Sequence, residues 1–225
     1  MRAEGGMIDL HSHTLFSDGD LGIDELVRRA EVIGCRGLVV SDHADGSVLD
    51  LVIPRVVKEA ANLTELTEVM VVPGCELTHC RPEDIARLVQ EARQLGAKLV
   101  TVHGETIAEP VIPGTNRSAI EAGVDLLAHP GLISAEDVKL AAQRGVMLEI
   151  SGRKGHSLTN GHVAALARSH GAMLYFGSDT HDVEDLVDRA QAERICRGAG
   201  LTAEEVTEMF ERAERLVREV LGQQV

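Results

Sequence analysis

Tryptophan is absent from this chain, and one tyrosine and three phenylalanines are its whole aromatic content. The core must therefore be packed from Val, Leu, Ile and Ala, a composition that suits parallel strands covered on both faces. No apolar run is long enough to span a bilayer and no signal peptide is recognisable. The four cysteines, Cys35, Cys75, Cys80 and Cys196, form neither a C-x-x-C pair nor a dense framework. A reducing, cytoplasmic compartment without membrane attachment is expected. Cys75 and Cys80 flank Glu76, where a buried or bystander thiol is favoured over a thiolate ligand. Positive charge is scarce as well: 22 Lys and Arg against 36 Asp and Glu leave a net charge of −14. That balance opposes binding to duplex nucleic acid, which takes a basic surface. An acidic protein still acts on phosphates where bound cations reverse the sign locally.

What the chain does have is apolar runs of β type, at 7–10, 37–41, 69–73, 98–102, 124–128, 146–150 and 173–177. Between them, spacings of three and four mark helices, as in Leu26, Val27, Ala30 and Ile33, or Ile85, Leu88, Val89, Ala92 and Leu95. Pro82 stands where a first helical residue is expected, Gly96 follows a last periodic one, and Gly145 and Gly171 close their helices. Ser134 with Asp137 and Thr202 with Glu205 read as capping boxes. Strand and helix alternate at roughly 30 residues, the size of a βα unit. The expected fold is a single-domain α/β barrel over residues 1–225, with an open doubly wound sheet as the alternative. A polar stretch at 1–6 is expected to be loosely ordered, and 202–221 reads as a long amphipathic helix packed on the barrel exterior or its lower end.

Nearly every apolar run stops at a His, Asp or Glu. The first ends in His11-Ser12-His13, with Asp18 in the following loop; the second runs into Ser41-Asp42-His43 and the third into Gly74-Cys75-Glu76. The fourth ends in His103-Gly104-Glu105, the fifth in His129-Pro130 and the seventh in Ser178-Asp179-Thr180-His181. Six of the ten histidines thus lie at or beside strand ends; the third strand ends in Glu76 instead, and the sixth closes at Glu149-Ile150-Ser151. A barrel brings all those ends to one mouth, where barrel active sites sit.

Nine donors, His11, His13, Asp18, His43, Glu76, His103, His129, Asp179 and His181, are too many for one ion. At about four to five ligands per cation they suit two or three divalent ions, with a carboxylate such as Glu76 bridging. Mixed imidazole and carboxylate donors point to Zn, Mn or Fe. Asp42, Glu105, Ser178 and Asp182 adjoin these donors and are candidates for steadying the rings. His162 and His170 read as helix surface residues, and His79 has no assigned role.

As an ordered set, these motifs resemble the polymerase and histidinol phosphatase (PHP) family from Met7 to about His181. The resemblance implies a distorted (β/α)7 TIM-like barrel. It places His11, His13, Glu76 and Asp179 on one metal, Glu76, His103 and His129 on a second, and Asp18, His43 and His181 on a third. Members include phosphatases of small phosphate monoesters, histidinol phosphate among them, and domains attached to bacterial DNA polymerases.

Clustered cations bind phosphate oxygens and activate a water for in-line attack. The expected activity is hydrolysis of a small phosphate monoester by a metal-bound water held by His11, His13, Glu76 and Asp179. The sixth loop, 151–160, is basic for so acidic a chain, and Arg153, Lys154, His156 and Asn160 are its candidate phosphate contacts. Arg117, in or beside the loop 105–116, is a lesser one, and that loop reads as a lid or a crossover. The alternatives are a nuclease of the same chemistry and a metal-binding regulatory module without turnover. An amidohydrolase barrel also opens with His-x-His, but it usually has eight strands. Oligomeric state is not legible.

Overall fold

Strand and helix alternate along the computed structural model, which describes residues 6–223. The order is β1 Met7–Asp9, α1 Ile23–Val32, β2 Cys35–Val40, a two-residue β3 His43–Ala44, α2 Leu49–Leu66, β4 Met70–Leu77, α3 Ile85–Gln94 and β5 Leu99–His103. Then follow α4 Thr115–Ala122, β6 Leu126–Ala128, α5 Ala135–Arg144, β7 Met147–Ser151, α6 Asn160–His170, β8 Leu174–Gly177, α7 Arg189–Gly198 and α8 Ala203–Val220. Residues 1–5 of the predicted leader lie outside the described residues.

Seven strands pair in parallel in the order β1-β2-β4-β5-β6-β7-β8, and β3 adds to the top of β4. No full ladder joins β8 to β1. The gap is spanned by a bridge between Ser12 and Thr180, with the His13 amide donating to the Thr180 carbonyl at 2.9 Å and the Asp179 amide to that of His11 at 3.0 Å. The fold is thus the predicted seven-stranded TIM-like barrel, irregular at its seam, and not an open sheet. No helix among the described residues is long and apolar enough to cross a membrane.

Alternation along the strands separates two environments. Val39, Met70, Val72, Leu99, Leu126, Met147 and Tyr175 join one cluster with Ala213 and Val217 of α8, so that α8 closes the lower end of the barrel. Their neighbours face outward: Leu38, Val40 and Val71 pack with α1 and α2 residues, and Val100, Val102, Leu127, Leu148 and Ile150 with the later helices. Among the outward residues is Cys75, buried in the apolar layer and so turned away from the mouth; all four cysteines are free.

Local signals explain most boundaries. Ser134 accepts from the Asp137 amide, Thr202 and Glu205 form a reciprocal capping box, and Gly145 and Gly171 end α5 and α6 in left-handed conformation. β4 runs beyond the expected Pro73 to Leu77, because Glu76 and Leu77 are paired on both sides, by β3 and by β5. Pro82 is not a first helical residue: α3 begins at Ile85, after a turn in which the Asp84 amide donates to the Arg81 carbonyl.

Candidate metal centre

Inward positions climb the strands in steps of two, apolar below and polar above: Leu99, Thr101, His103 on β5; Met147, Glu149, Ser151 on β7; Val72, Gly74, Glu76 on β4. The polar upper layer lies under the mouth, fully buried at His11, His13, Glu76 and Glu149. At the seam the chain turns after Leu10, where Asp9 accepts from the His11 amide at 3.3 Å and the Ser178 amide at 2.9 Å.

All nine predicted donors converge. His11 Nε2 and His13 Nε2 stand 2.9 Å apart. Glu76 Oε2 is 3.4 Å from His11 Nε2 and 2.7 Å from His43 Nδ1, and its other oxygen is 3.5 Å from His129 Nε2. Asp179 lies 3.4 Å from His13 Nε2 and 3.7 Å from His129 Nε2. Asp18 reaches back from the loop after β1 to His43 Nε2 at 3.5 Å and His181 Nε2 at 3.1 Å. His103 packs edge-on against the His129 ring, their centroids 4.4 Å apart. His129 and Asp179 hold positive φ angles of 22° and 57°, which L-residues seldom adopt. Backbone held in this way clusters at functional sites.

The rings are steadied by groups other than those expected. His11 Nδ1 meets Glu149 Oε1 at 2.7 Å, His156 Nδ1 meets Thr106 Oγ1 at 2.6 Å, and His181 Nδ1 donates to the Asp179 carbonyl at 2.9 Å. Asp42 instead accepts from Thr14 and Ser17, and Glu105 from the Gly114 and Asn116 amides that open α4. Ser178 bonds the His11 carbonyl and Thr180, while Asp182 closes its own turn through the Glu184 and Asp185 amides. These four residues brace the loops rather than the imidazoles.

Electrostatics divides the cluster. Burial would lower His11, but the carboxylates of Glu149, Asp179 and Glu76 raise it well above an ordinary histidine. Burial pushes His13 down to about 3 and drives His129 well below its usual range. Glu76 and Asp179, although buried, are held well below ordinary carboxylates by the imidazoles around them. Burial lifts Glu149 to about 7.

The donor set fits divalent cations. Glu76 Oε1 and Asp179 Oδ2 are buried without a hydrogen-bond partner, a costly state unless another positive group meets them. Donor atoms close enough to share one ion occur in His11, His13 and Asp179; in His13, Asp18, His43 and His181; and in His103, His129 and His156.

The substrate-side candidates part ways. His156 is buried, stacked on the His129 ring at 4.0 Å. Arg153 is half-buried, donating through Nη1 to the Asp179 carbonyl and to Asp185, each at 3.2 Å. Lys154 is exposed. Asn160 has both ends of its amide on the Ser151 backbone, at 3.0 and 2.8 Å, and so clamps the loop. Arg117 pairs with Asp137 on the outer helices. His162 is half-buried, its Nε2 2.8 Å from the Ile133 carbonyl rather than on an open surface. Two site residues carry no strand-end signal. Glu149 lies inside its strand, where its charge amid an apolar run was the available clue. Glu109, in the loop after β5, comes within 3.2 Å of His103 Nε2 and 3.3 Å of His79 Nε2.

No protein-family model matches the chain. It is similar to an uncharacterized protein of Methanocaldococcus jannaschii, 42% identical over 200 residues, covering 88% of this chain and 92% of that one. A probable phosphatase of Shewanella pealeana is 26% identical over 88% of this chain and 86% of its own length. The fold is histidinol-phosphatase-like, and curated relatives of the chain are named as probable phosphatases. Among solved structures, the histidinol phosphate phosphatase of Lactococcus lactis, complexed with zinc, L-histidinol and phosphate, superposes with a TM-score of 0.61 at 15% identity, covering 87% of this chain and 94% of that one. A putative prolidase from Bifidobacterium longum gives 0.62 at 14% identity over 96% of this chain and 69% of its own. At such identities the likeness is one of fold, shared between family members and other metal-site barrels.

Proposed function

We propose that this protein is a metal-dependent hydrolase of a small phosphate monoester. The observation that carries the reading is the buried convergence of imidazoles and carboxylates on Glu76 and Asp179, with one oxygen of each left unpaired. His11, His13, Glu76 and Asp179 would hold one cation, Glu76, His103 and His129 a second, and Asp18, His43 and His181 a third. Two or three Zn, Mn or Fe ions there would offset phosphate charge and acidify a water enough to attack phosphorus.

The chain's own part is placement. Apolar residues beneath, Leu99, Met147 and Tyr175 among them, keep bulk water from the lower side, so the ester enters from the mouth. Arg153 and His156 border that entrance on the loop after β7 and would orient the phosphate oxygens. The probable-phosphatase relatives, and the Lactococcus lactis enzyme with its zinc, histidinol and phosphate, support this substrate class. The net charge of −14 favours a small ester over a nucleic-acid strand.

The test is elemental analysis of purified protein, paired with a panel of sugar, amino-alcohol and nucleotide phosphates before and after chelation. Stoichiometric metal with chelator-sensitive phosphate release is expected. Bound metal with no hydrolysis across the panel would point to a module without turnover, and mononucleotides released from single-stranded DNA to a nuclease.

A further inference from the structure

Glu149 stands fully buried among the inward residues of the barrel. Its two oxygens serve different halves of the cluster: Oε1 lies 2.7 Å from His11 Nδ1, and Oε2 accepts from the His129 backbone amide at 2.7 Å. That amide belongs to a residue with φ of 22°, so the hydrogen bond fixes a turn that would otherwise relax. The space for the carboxylate comes from Gly177, opposite Ser151 in the β7–β8 ladder: a Cβ there would overlap both the Glu149 carboxylate and the Cβ of His11.

We infer that Glu149 is a positioning residue that sets the ring tautomer of His11 and the backbone turn of His129 together, aligning both halves of the centre through one carboxylate. This rests on the reading of the cluster as a cation site. A neutral imidazole carries one N–H. An acceptor at Nδ1 keeps the proton there and leaves the Nε2 lone pair facing Glu76 and Asp179. By distance Glu149 could also share an ion with His11 and His129, but each of its oxygens already meets a nitrogen at 2.7 Å, so it is assigned as a brace for ligands rather than a ligand.

Glutamine has the same size but one acceptor and one donor. If its oxygen serves the His129 amide, its NH2 faces His11 Nδ1, which must then accept, and the proton moves to Nε2. If it flips, the His129 amide loses its acceptor. A residue that only filled space would tolerate Glu149→Gln.

The test uses zinc-loaded, metal-free and variant proteins with 15N-labelled histidines, and needs no substrate. In the zinc-loaded wild type, nitrogen spectra are expected to show the His11 proton on Nδ1 and zinc on Nε2. Glu149→Gln should retain the wild-type circular dichroism spectrum but bind zinc on the order of 10- to 100-fold more weakly in chelator competition. Gly177→Ala, which presses on both the intact carboxylate and the His11 side chain, should weaken zinc in the same direction. Zinc on His11 Nδ1 in the wild type, or unchanged affinity in a folded Glu149→Gln, would overturn the assignment alone. A wild type that takes up no cation would overturn the reading of the centre as well. If Glu149→Gln does not fold, the wild-type spectrum still decides.

Discussion

The Nε2 atoms of His11 and His13 face each other at 2.9 Å in a pocket closed to solvent. Two ring nitrogens that near compete for a single proton unless a cation takes up both lone pairs; the same cation would meet Glu76 Oε2 and Asp179 Oδ1, while the unpaired Glu76 Oε1 and Asp179 Oδ2 turn toward His129 and a neighbouring cation. Metal removal should therefore destabilise the fold, because binding to the native state alone adds about 3–4 kcal/mol at several hundred to a thousand times Kd. For a chain of this size that is a fall in Tm on the order of 10 °C. Thermal melts with and without chelator, followed by zinc or manganese restoration, check it. A Tm indifferent to chelation would mean that the cluster is satisfied without metal.

Arg153 ties the backbone of Asp179 to Asp185, and so sits against a predicted ligand rather than free in solvent. If the guanidinium also receives phosphate, Arg153→Ala should raise KM for the best ester about 10- to 100-fold, the worth of a charge-assisted hydrogen bond, with a smaller loss in kcat. Arg153→Lys should recover only part of that, since an ammonium lacks the planar fork. Equal falls in kcat and metal content, with KM unmoved, would leave Arg153 as a staple for the Asp179 turn.

Asn160 gives the opposite pattern. Its amide closes a two-bond clamp on Ser151, and both groups are buried. Asn160→Ala leaves the Ser151 amide without its acceptor, a loss of about 1–3 kcal/mol, or a Tm lower by roughly 3–10 °C. KM is expected to be unchanged at temperatures where the variant is folded. A KM effect without a stability effect would restore Asn160 to the substrate side.

These contrasts show what the sequence carried and what it did not. Donors one step past an apolar run were legible, because the period-2 pattern shows both that the strand ends and which face comes next. His11, His103 and His129 follow that rule, and Asp179 stands one step further, after Ser178. Glu149 follows the same alternation but lies within its strand, so reading only the ends passes over it. Asn160 looked like a mouth residue because it is polar and follows the sixth barrel strand. Its contacts depend on how the loop folds back on Ser151, which no local periodicity encodes. Glu109 and the two-residue β3 are likewise products of chain closure around the mouth.

Acid and alkali should act on the metal-free protein in opposite directions. His13, pushed by burial to about 3, and His129, held well below the usual range by burial and by His103, stay neutral in the fold. An unfolded histidine takes a proton near pH 6.5. As pH falls below that value, the unfolded chain binds protons that the fold refuses, and stability drops until the folded values are passed. His103 and His181 run the other way. Burial lowers each, but Glu109 beside the first and Asp18 beside the second leave both raised, so their contribution is complete below pH 6.5 and is lost as pH rises through the folded values. Metal-free stability should peak near neutrality, falling on both sides in melts taken from about pH 4 to about pH 9. With metal bound, the donors are already deprotonated, so the alkaline decline should vanish while the acid one steepens as protons compete with the cation. A metal-free Tm that climbed steadily toward pH 4 would be incompatible with neutral, buried His13 and His129.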